Sequence, residues 1–86
     1  MAHIEMYGTG FCPYCVRARL LLEKKEAGFD DIRIDREPVR RAEMESRAGG
    51  ASSVPQIFID GQHIGGCDEL YELDYEGRLD PLLAAS

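Results

Sequence analysis

Phe11-Cys12-Pro13-Tyr14-Cys15 places two thiols two residues apart. It follows a strand-like run, Ile4-Glu5-Met6-Tyr7, and a turn, Gly8-Thr9-Gly10, and opens a run of good helix formers from Val16 to Ala27. A Cys-x-x-Cys at a strand-to-helix junction reads as a redox dithiol. The reason lies in the helix end. The first-turn N–H groups have no intrahelical partner, and the aligned peptide dipoles add roughly half a positive charge there. A thiolate at that point is stabilised, so the thiol pKa falls from about 8.5 toward the ~3.5–7.5 range of such motifs. Only the thiolate attacks a disulfide. Cys12 is expected at the N-cap with Pro13 at N1, where a missing N–H is harmless. Cys15 lies one turn further in, at a spacing where helical side chains meet, and is the more covered and poorer nucleophile. Cys12 is therefore the expected attacking thiol and Cys15 the resolving thiol.

Working outward, Ile4 and Met6 alternate with Glu5 and predict a first strand. The first helix is expected over Pro13–Ala27, with Ala18, Leu21 and Leu22 as its core stripe, Val16 and Leu20 as a second apolar row, and Gly28 as the C′ residue. Phe29–Asp35 reads as a second strand with Ile32 and Ile34 inward; strand, helix and strand then form a parallel βαβ unit. Pro38 is expected at N1 of a second helix ending near Gly49-Gly50, with a thin apolar face of Val39, Ala42 and Met44. Asp60-Gly61, flanked by Gln56–Ile59 and Gln62–Ile64, carries the residues of a type I′ hairpin turn. Gly65-Gly66 permits a tight backbone turn. A short helix from Asp68 to about Tyr75, with Leu70 and Leu73 inward, and a last helical turn bearing Leu79, Leu82 and Leu83 complete the chain. The sum, βαβ then ββα, is an α+β fold: a four-stranded mixed sheet flanked by helices.

The 86 residues fit one small domain, 1–86, with no room for a second core. A net charge of −6 disfavours nucleic acid and anionic membrane surfaces, which need basic patches. No apolar run reaches spanning length, and Met1-Ala2-His3-Ile4-Glu5 lacks the features of a signal peptide. A cytoplasmic protein is the expectation. Three cysteines, an odd count, argue against a structural disulfide framework. A zinc site would need four ligands; beyond the pair the chain offers only Cys67, His3, His63 and carboxylates, so no metal is expected.

Two further stretches bear on chemistry. Ser53-Val54-Pro55 precedes the third strand; most X–Pro bonds are trans, and a cis bond would turn the Val54 backbone outward to pair with an extended peptide. Gly66-Cys67-Asp68 precedes the last long helix, where N–H groups suit a carboxylate and the Asp68 carboxylate suits an ammonium group. Asp68 is equally read as the N-cap of that helix, and Cys67 as a small, semi-buried residue.

Taken together, Cys12-Pro13-Tyr14-Cys15, Ser53-Val54-Pro55-Gln56-Ile57-Phe58-Ile59 and Gly65-Gly66-Cys67-Asp68-Glu69-Leu70 closely resemble the glutaredoxins, in order and spacing over essentially the whole chain. The match is to the dithiol class, with bacterial members the most similar. The resemblance implies a thioredoxin-like fold, a cis Val54–Pro55 bond, and glutathione as reductant and ligand. It implies that Cys12 carries glutathione as a mixed disulfide and that Val54 pairs with the cysteinyl backbone of glutathione. The Cys67 N–H and Asp68 would receive the γ-glutamyl end, and Tyr14 would flank the groove. Ser53, Pro55 and Gly66 complete the implied glutathione contacts. Substrates would be glutathionylated or disulfide-containing proteins, and the protein a monomer. Thioredoxins more often carry Trp-Cys-Gly-Pro-Cys, and this chain has no Trp.

The chain departs from the family at Thr9, where a lysine is common, and at Ser52 and Ser53, where a basic residue and a threonine are common. Arg41, Arg47 and Arg17 are the candidates to supply the missing charge. Two rival readings remain at this stage. One is a dimer holding an iron–sulfur cluster, although cluster binders usually have a Gly where Pro13 sits. The other is a reductant served by a flavoenzyme rather than by glutathione.

Overall fold

The structure, a computed structural model, describes residues 2–84; residues 1, 85 and 86 of the expected domain span lie outside the described residues. The elements run β1 (Ile4–Gly8), α1 (Pro13–Lys24), β2 (Phe29–Arg33), α2 (Arg40–Arg47), β3 (Gln56–Ile59), β4 (Gln62–Gly65), α3 (Cys67–Tyr75) and α4 (Leu79–Ala84). The sheet order is β2-β1-β3-β4. β1 pairs with β2 in parallel, because α1 carries the chain back across the sheet, and with β3 antiparallel. β3 and β4 form the hairpin, with Asp60 and Gly61 both at positive φ (51° and 80°), as a type I′ turn requires. The expected α+β architecture, a mixed four-stranded sheet with helices on both sides, is the one observed.

β1 is buried on both faces. Ile4 and Met6 join Ala18, Leu21 and Leu22 of α1, Leu70 of α3, and Leu79 and Leu83 of α4 in one core. Each leucine so buried contributes ~1.5–3 kcal/mol. Tyr7 points the other way and joins Ile32, Ile34, Phe58 and, from the α2 side, Met44 and Ala48 in a second core.

Local expectations needed correction at both longer crossings. α1 ends at Lys24, three residues early, and Glu26, not Gly28, takes the left-handed conformation (φ 55°). The Glu26 N–H donates to the Glu23 carbonyl and the Ala27 N–H to the Leu22 carbonyl, a Schellman closure with Glu26 as C′. Val16 and Leu20 stand exposed rather than forming a second buried row. Pro38 lies in a turn ahead of α2, and Val39 (85% exposed) and Ala42 face solvent. The buried face of α2 is Met44, continued by Ala48 beyond its end and by the stem of Arg47. The Arg47 guanidinium lies 4.2 Å from the Phe58 ring centroid and donates to both Glu5 carboxylate oxygens at 3.0 and 2.8 Å. It also donates to the Tyr7 hydroxyl at 2.9 Å, and that hydroxyl donates to Glu43. A polar network therefore does part of the work expected of apolar side chains.

Candidate active site

β1 and α1 bring the dithiol to one end of the sheet. Cys12 is the N-cap of α1 in extended conformation, with Pro13 at N1, and the first helical bond runs from the Val16 N–H to the Cys12 carbonyl at 3.0 Å. Cys12 is partly exposed, Cys15 is fully buried, and both thiols are free. Their environments differ in sign. Partial burial works to raise the Cys12 thiol. The Cys15 N–H, the Cys15 thiol and the Tyr14 N–H outweigh that and hold Cys12 below its ordinary value, with a further contribution from the Arg19 charge. Burial dominates at Cys15 and, with the neighbouring Cys12 sulfur, pushes its thiol up to about 11, against the Thr9 N–H and the Arg19 charge. One thiol is thus accessible and favoured as a thiolate, and the other is held protonated beside it.

Cys12 faces the turn that enters β3. Its thiol donates to the Val54 carbonyl at 3.8 Å, and the Val54–Pro55 bond is cis. From there a groove of about 480 Å³ runs toward the start of α3. Tyr14 stands on one side, Ser53, Val54 and Pro55 form a wall, and Gly66, Cys67 and Asp68 close the far end. The structure therefore gathers the expected ligand-contact residues around one groove. The N-cap of α3 is Gly66, not Asp68, which sits exposed at the second helical position. Glu69 Oε1 accepts the Gly66 N–H at 2.6 Å. The Cys67 and Asp68 N–H groups have no protein acceptor among the described residues. Burial pushes the Cys67 thiol up, and its side chain packs into the first core.

The glutaredoxin family model matches residues 4–64. Glutaredoxin 3 of Escherichia coli (strain K12) is 54% identical over 83 residues, spanning 96% of this chain and 99% of the relative. The chain belongs to the glutaredoxin family. Solved structures agree. The crystal structure of a buckwheat glutaredoxin–glutathione complex matches with a TM-score of 0.87 at 32% identity, covering 95% of this chain and 76% of that one. The solution structure of glutaredoxin from Brucella melitensis matches with a TM-score of 0.82 at 48% identity, covering 96% and 89%. The fold is thioredoxin-like, and the chain is an enzyme of the glutathione-dependent disulfide oxidoreductase class.

Against this family, the three arginines proposed to offset Thr9 separate. Arg47 is committed to Glu5 and Tyr7 beneath the sheet. Arg17 lies over the Tyr71 ring at 5.3 Å. Arg41 Nη1 donates to the Ser52 carbonyl at 2.9 Å, just before the cis-proline turn. The cation beside the dithiol is a fourth, Arg19, whose Nη1 donates to the carbonyl of Thr9 itself at 3.0 Å. Its spacing of four from Cys15 is the signal that marks it on the same face of α1. On the other flank of the loop, the Gly10 N–H donates to Asp35 at 3.3 Å, and Asp35 is gripped by Arg33 at 2.9 and 2.7 Å. A Cβ on Gly10 would come within 2.1 Å of Arg33 Nη2, so a side chain there would require the guanidinium to move.

A second feature unseen in the sequence is Gln56, a buried polar residue (4% exposed) at the base of the groove wall. Its amide nitrogen donates to the Ser53 carbonyl at 3.0 Å and to Ser53 Oγ at 3.3 Å, and its amide oxygen lies 2.6 Å from His63 Nε2. With its nitrogen committed to Ser53, Gln56 presents an acceptor to His63, so His63 donates from Nε2. The pair braces the cis-proline turn from behind.

Proposed function

We propose that this glutaredoxin reduces protein–glutathione mixed disulfides and protein disulfides through Cys12 and Cys15, with glutathione as the reductant. The observation that supports it is the asymmetry of the dithiol at the mouth of the groove: a depressed, accessible Cys12 against the Val54 carbonyl, and a buried Cys15 behind it. Cys12 as thiolate attacks the glutathionyl sulfur, the protein thiol leaves, and a second glutathione releases the one held on Cys12. With a protein disulfide, Cys12 forms the mixed disulfide, Cys15 resolves it, and two glutathione molecules reduce the resulting bond.

In this reading glutathione lies along the groove. Its cysteinyl backbone pairs with Val54, with Ser53 and Pro55 on that wall and Tyr14 flanking it. Its γ-glutamyl carboxylate meets the Cys67 N–H beside Gly66, and its ammonium group meets Asp68. The enzyme acts as a monomeric cytoplasmic domain on glutathionylated or disulfide-containing proteins. No metal takes part in this reaction.

The test is a coupled assay offering a small glutathionyl mixed disulfide with glutathione, glutathione reductase and NADPH. Wild type is expected to consume NADPH, Cys15→Ser to retain that activity while losing protein-disulfide reduction, and Cys12→Ser to lose both. Turnover by Cys12→Ser would overturn the assignment of the nucleophile, and an inactive wild type would overturn glutathione as the reductant.

A further inference from the structure

Arg19 lies one turn beyond Cys15 on α1, and each of its three guanidinium nitrogens donates to a protein oxygen. Asp31 on β2 takes Nε at 3.0 Å and Nη2 at 3.1 Å in a forked pair, and the Thr9 carbonyl takes Nη1 at 3.0 Å. The side chain is only 16% exposed. Thr9 thus has its carbonyl turned to Arg19 while its N–H donates to Cys15 Sγ at 3.5 Å. Gly8 leaves the space between them open. A Cβ there would sit 3.0 Å from Cys15 Sγ and 3.4 Å from Arg19 Nη2, so thiol and guanidinium converge over one bare stretch of backbone.

We propose that Arg19 is a positioning residue for the resolving step: it pins the Thr9 carbonyl so that the Thr9 N–H is aimed at Cys15 Sγ, and its charge stabilises the Cys15 thiolate as that sulfur attacks a mixed disulfide on Cys12. The inference rests on the reading of Cys15 as the resolving thiol. In the step, Cys15 releases its proton to solvent and its sulfur bonds to Cys12 Sγ. The bond from Cys12 to the target sulfur breaks, and the target leaves as a thiolate that takes up a proton. Two electrons pass from the dithiol to the target, and no other oxidant or reductant enters.

The resolving thiol has a need that the nucleophile lacks. The Cys12 thiol is held down by other groups as well, the Cys15 N–H and thiol and the Tyr14 N–H. Cys15 is fully buried, and the Thr9 N–H and Arg19 are the largest influences that favour its charged form, ahead of the Arg33 charge. Where a thiol titrates well above the ambient pH, each unit of further rise cuts the thiolate fraction about tenfold, and the gain in intrinsic nucleophilicity returns only part of it, leaving a net slowing of about three- to fourfold. The Arg19 charge reaches Cys12 as well, but there it only supplements other donors.

The experiment uses the full chain and glutathione disulfide as the probe. Reduced protein is mixed with glutathione disulfide, quenched with acid, and followed by intact mass. Glutathionylation of Cys12 reads the first step, and loss of that adduct as the Cys12–Cys15 bond closes reads the second. Arg19→Met is expected to slow closure by about three- to tenfold while changing glutathionylation by less than about twofold. Arg19→Lys, which keeps the charge but not the forked pair with Asp31, is expected to recover closure in part, to a rate between those of Arg19→Met and wild type. Preserved glutathionylation also shows that the variants are folded. Equal slowing of both steps in Arg19→Met, or no slowing of closure, would overturn the proposal, and Arg19→Lys as slow as Arg19→Met would overturn the role of the charge. A wild type that is glutathionylated but never closes would instead overturn the reading of Cys15 on which the proposal stands.

Discussion

Under α1, α3 and α4 the sheet meets mostly aliphatic side chains; under α2 it meets an arginine. The first face is closed by Leu21, Leu22, Leu70 and Leu79 over Ile4, Met6 and Ile57. The second has Met44 and Ala48 as its apolar cover, with Arg47 lying on Phe58 and tied to Glu5 and Tyr7. The dithiol helix and the helix that starts beside Asp68 both belong to the first face. The face that carries the dithiol is thus held mainly by non-directional burial, which has no titrating group, with the Lys25 pairs to Asp74 and Asp80 at its margin, and the other face draws more on directional polar contacts.

That contrast can be broken or sharpened by measurement. The largest effect is expected from Leu22→Ala, which empties a fully buried site on the first face and should lower unfolding free energy by ~2–5 kcal/mol in a urea titration. Arg47→Met keeps an unbranched stem over Phe58 but strands Glu5 and leaves the Tyr7 hydroxyl with Glu43 alone; it should lower stability by ~1–3 kcal/mol. A larger loss from Arg47→Met than from Leu22→Ala would reverse the ranking of the two faces.

Acid should separate the faces without mutation. Hydrogen bonding to Arg47 holds the Glu5 carboxyl below its ordinary range, and hydrogen bonding to Arg40, with the Tyr7 hydroxyl, does the same for Glu43. A folded-state value below the unfolded one stabilises the protein above the unfolded value of about 4.3, and that contribution is lost as pH falls through the lower folded values. Amide exchange, corrected for intrinsic rates, should therefore rise in α2 before α1 as the solution is taken below about pH 4; simultaneous loss in both helices would show that the network is not a separable unit. The smallest effect is expected at Glu26, the left-handed residue that ends α1. A left-handed non-glycine residue costs about 1–2 kcal/mol and glycine returns part of that as chain entropy, so Glu26→Gly should raise stability by ~0.5–1 kcal/mol, read as a higher melting temperature.

The features that sequence reveals here are those written in local chemistry. The dithiol at a helix start, the Asp60-Gly61 turn and the Ala18, Leu21, Leu22 stripe each follow from residue type and spacing over a few positions. The cis Val54–Pro55 bond came only through family resemblance, because the local prior favours trans. The end of α1 differs from the glycine signal because glycine marks a left-handed site only where no other residue is forced into it, and here the burial of Leu22 and Ala27 places the Schellman closure around Glu26. The buried face of α2 is not legible in the sequence because apolar periodicity does not register an arginine stem lying on an aromatic ring. Arg19 and Gln56 act through partners 10 or more residues away (Thr9) or behind the groove wall (His63), and only the folded chain juxtaposes them.

β2 is an outer strand of the sheet, and an open strand edge invites a foreign backbone to add to it. Here the strand carries Asp30, Asp31 and Arg33 within five residues, and Asp31 and Arg33 are the same side chains that steady the loop before the dithiol from its two flanks. The charges that help hold the reactive loop in place also make the rim of the sheet a poor template for intermolecular strand growth. Colloidal stability and a steady loop before the dithiol thus draw on the same few residues.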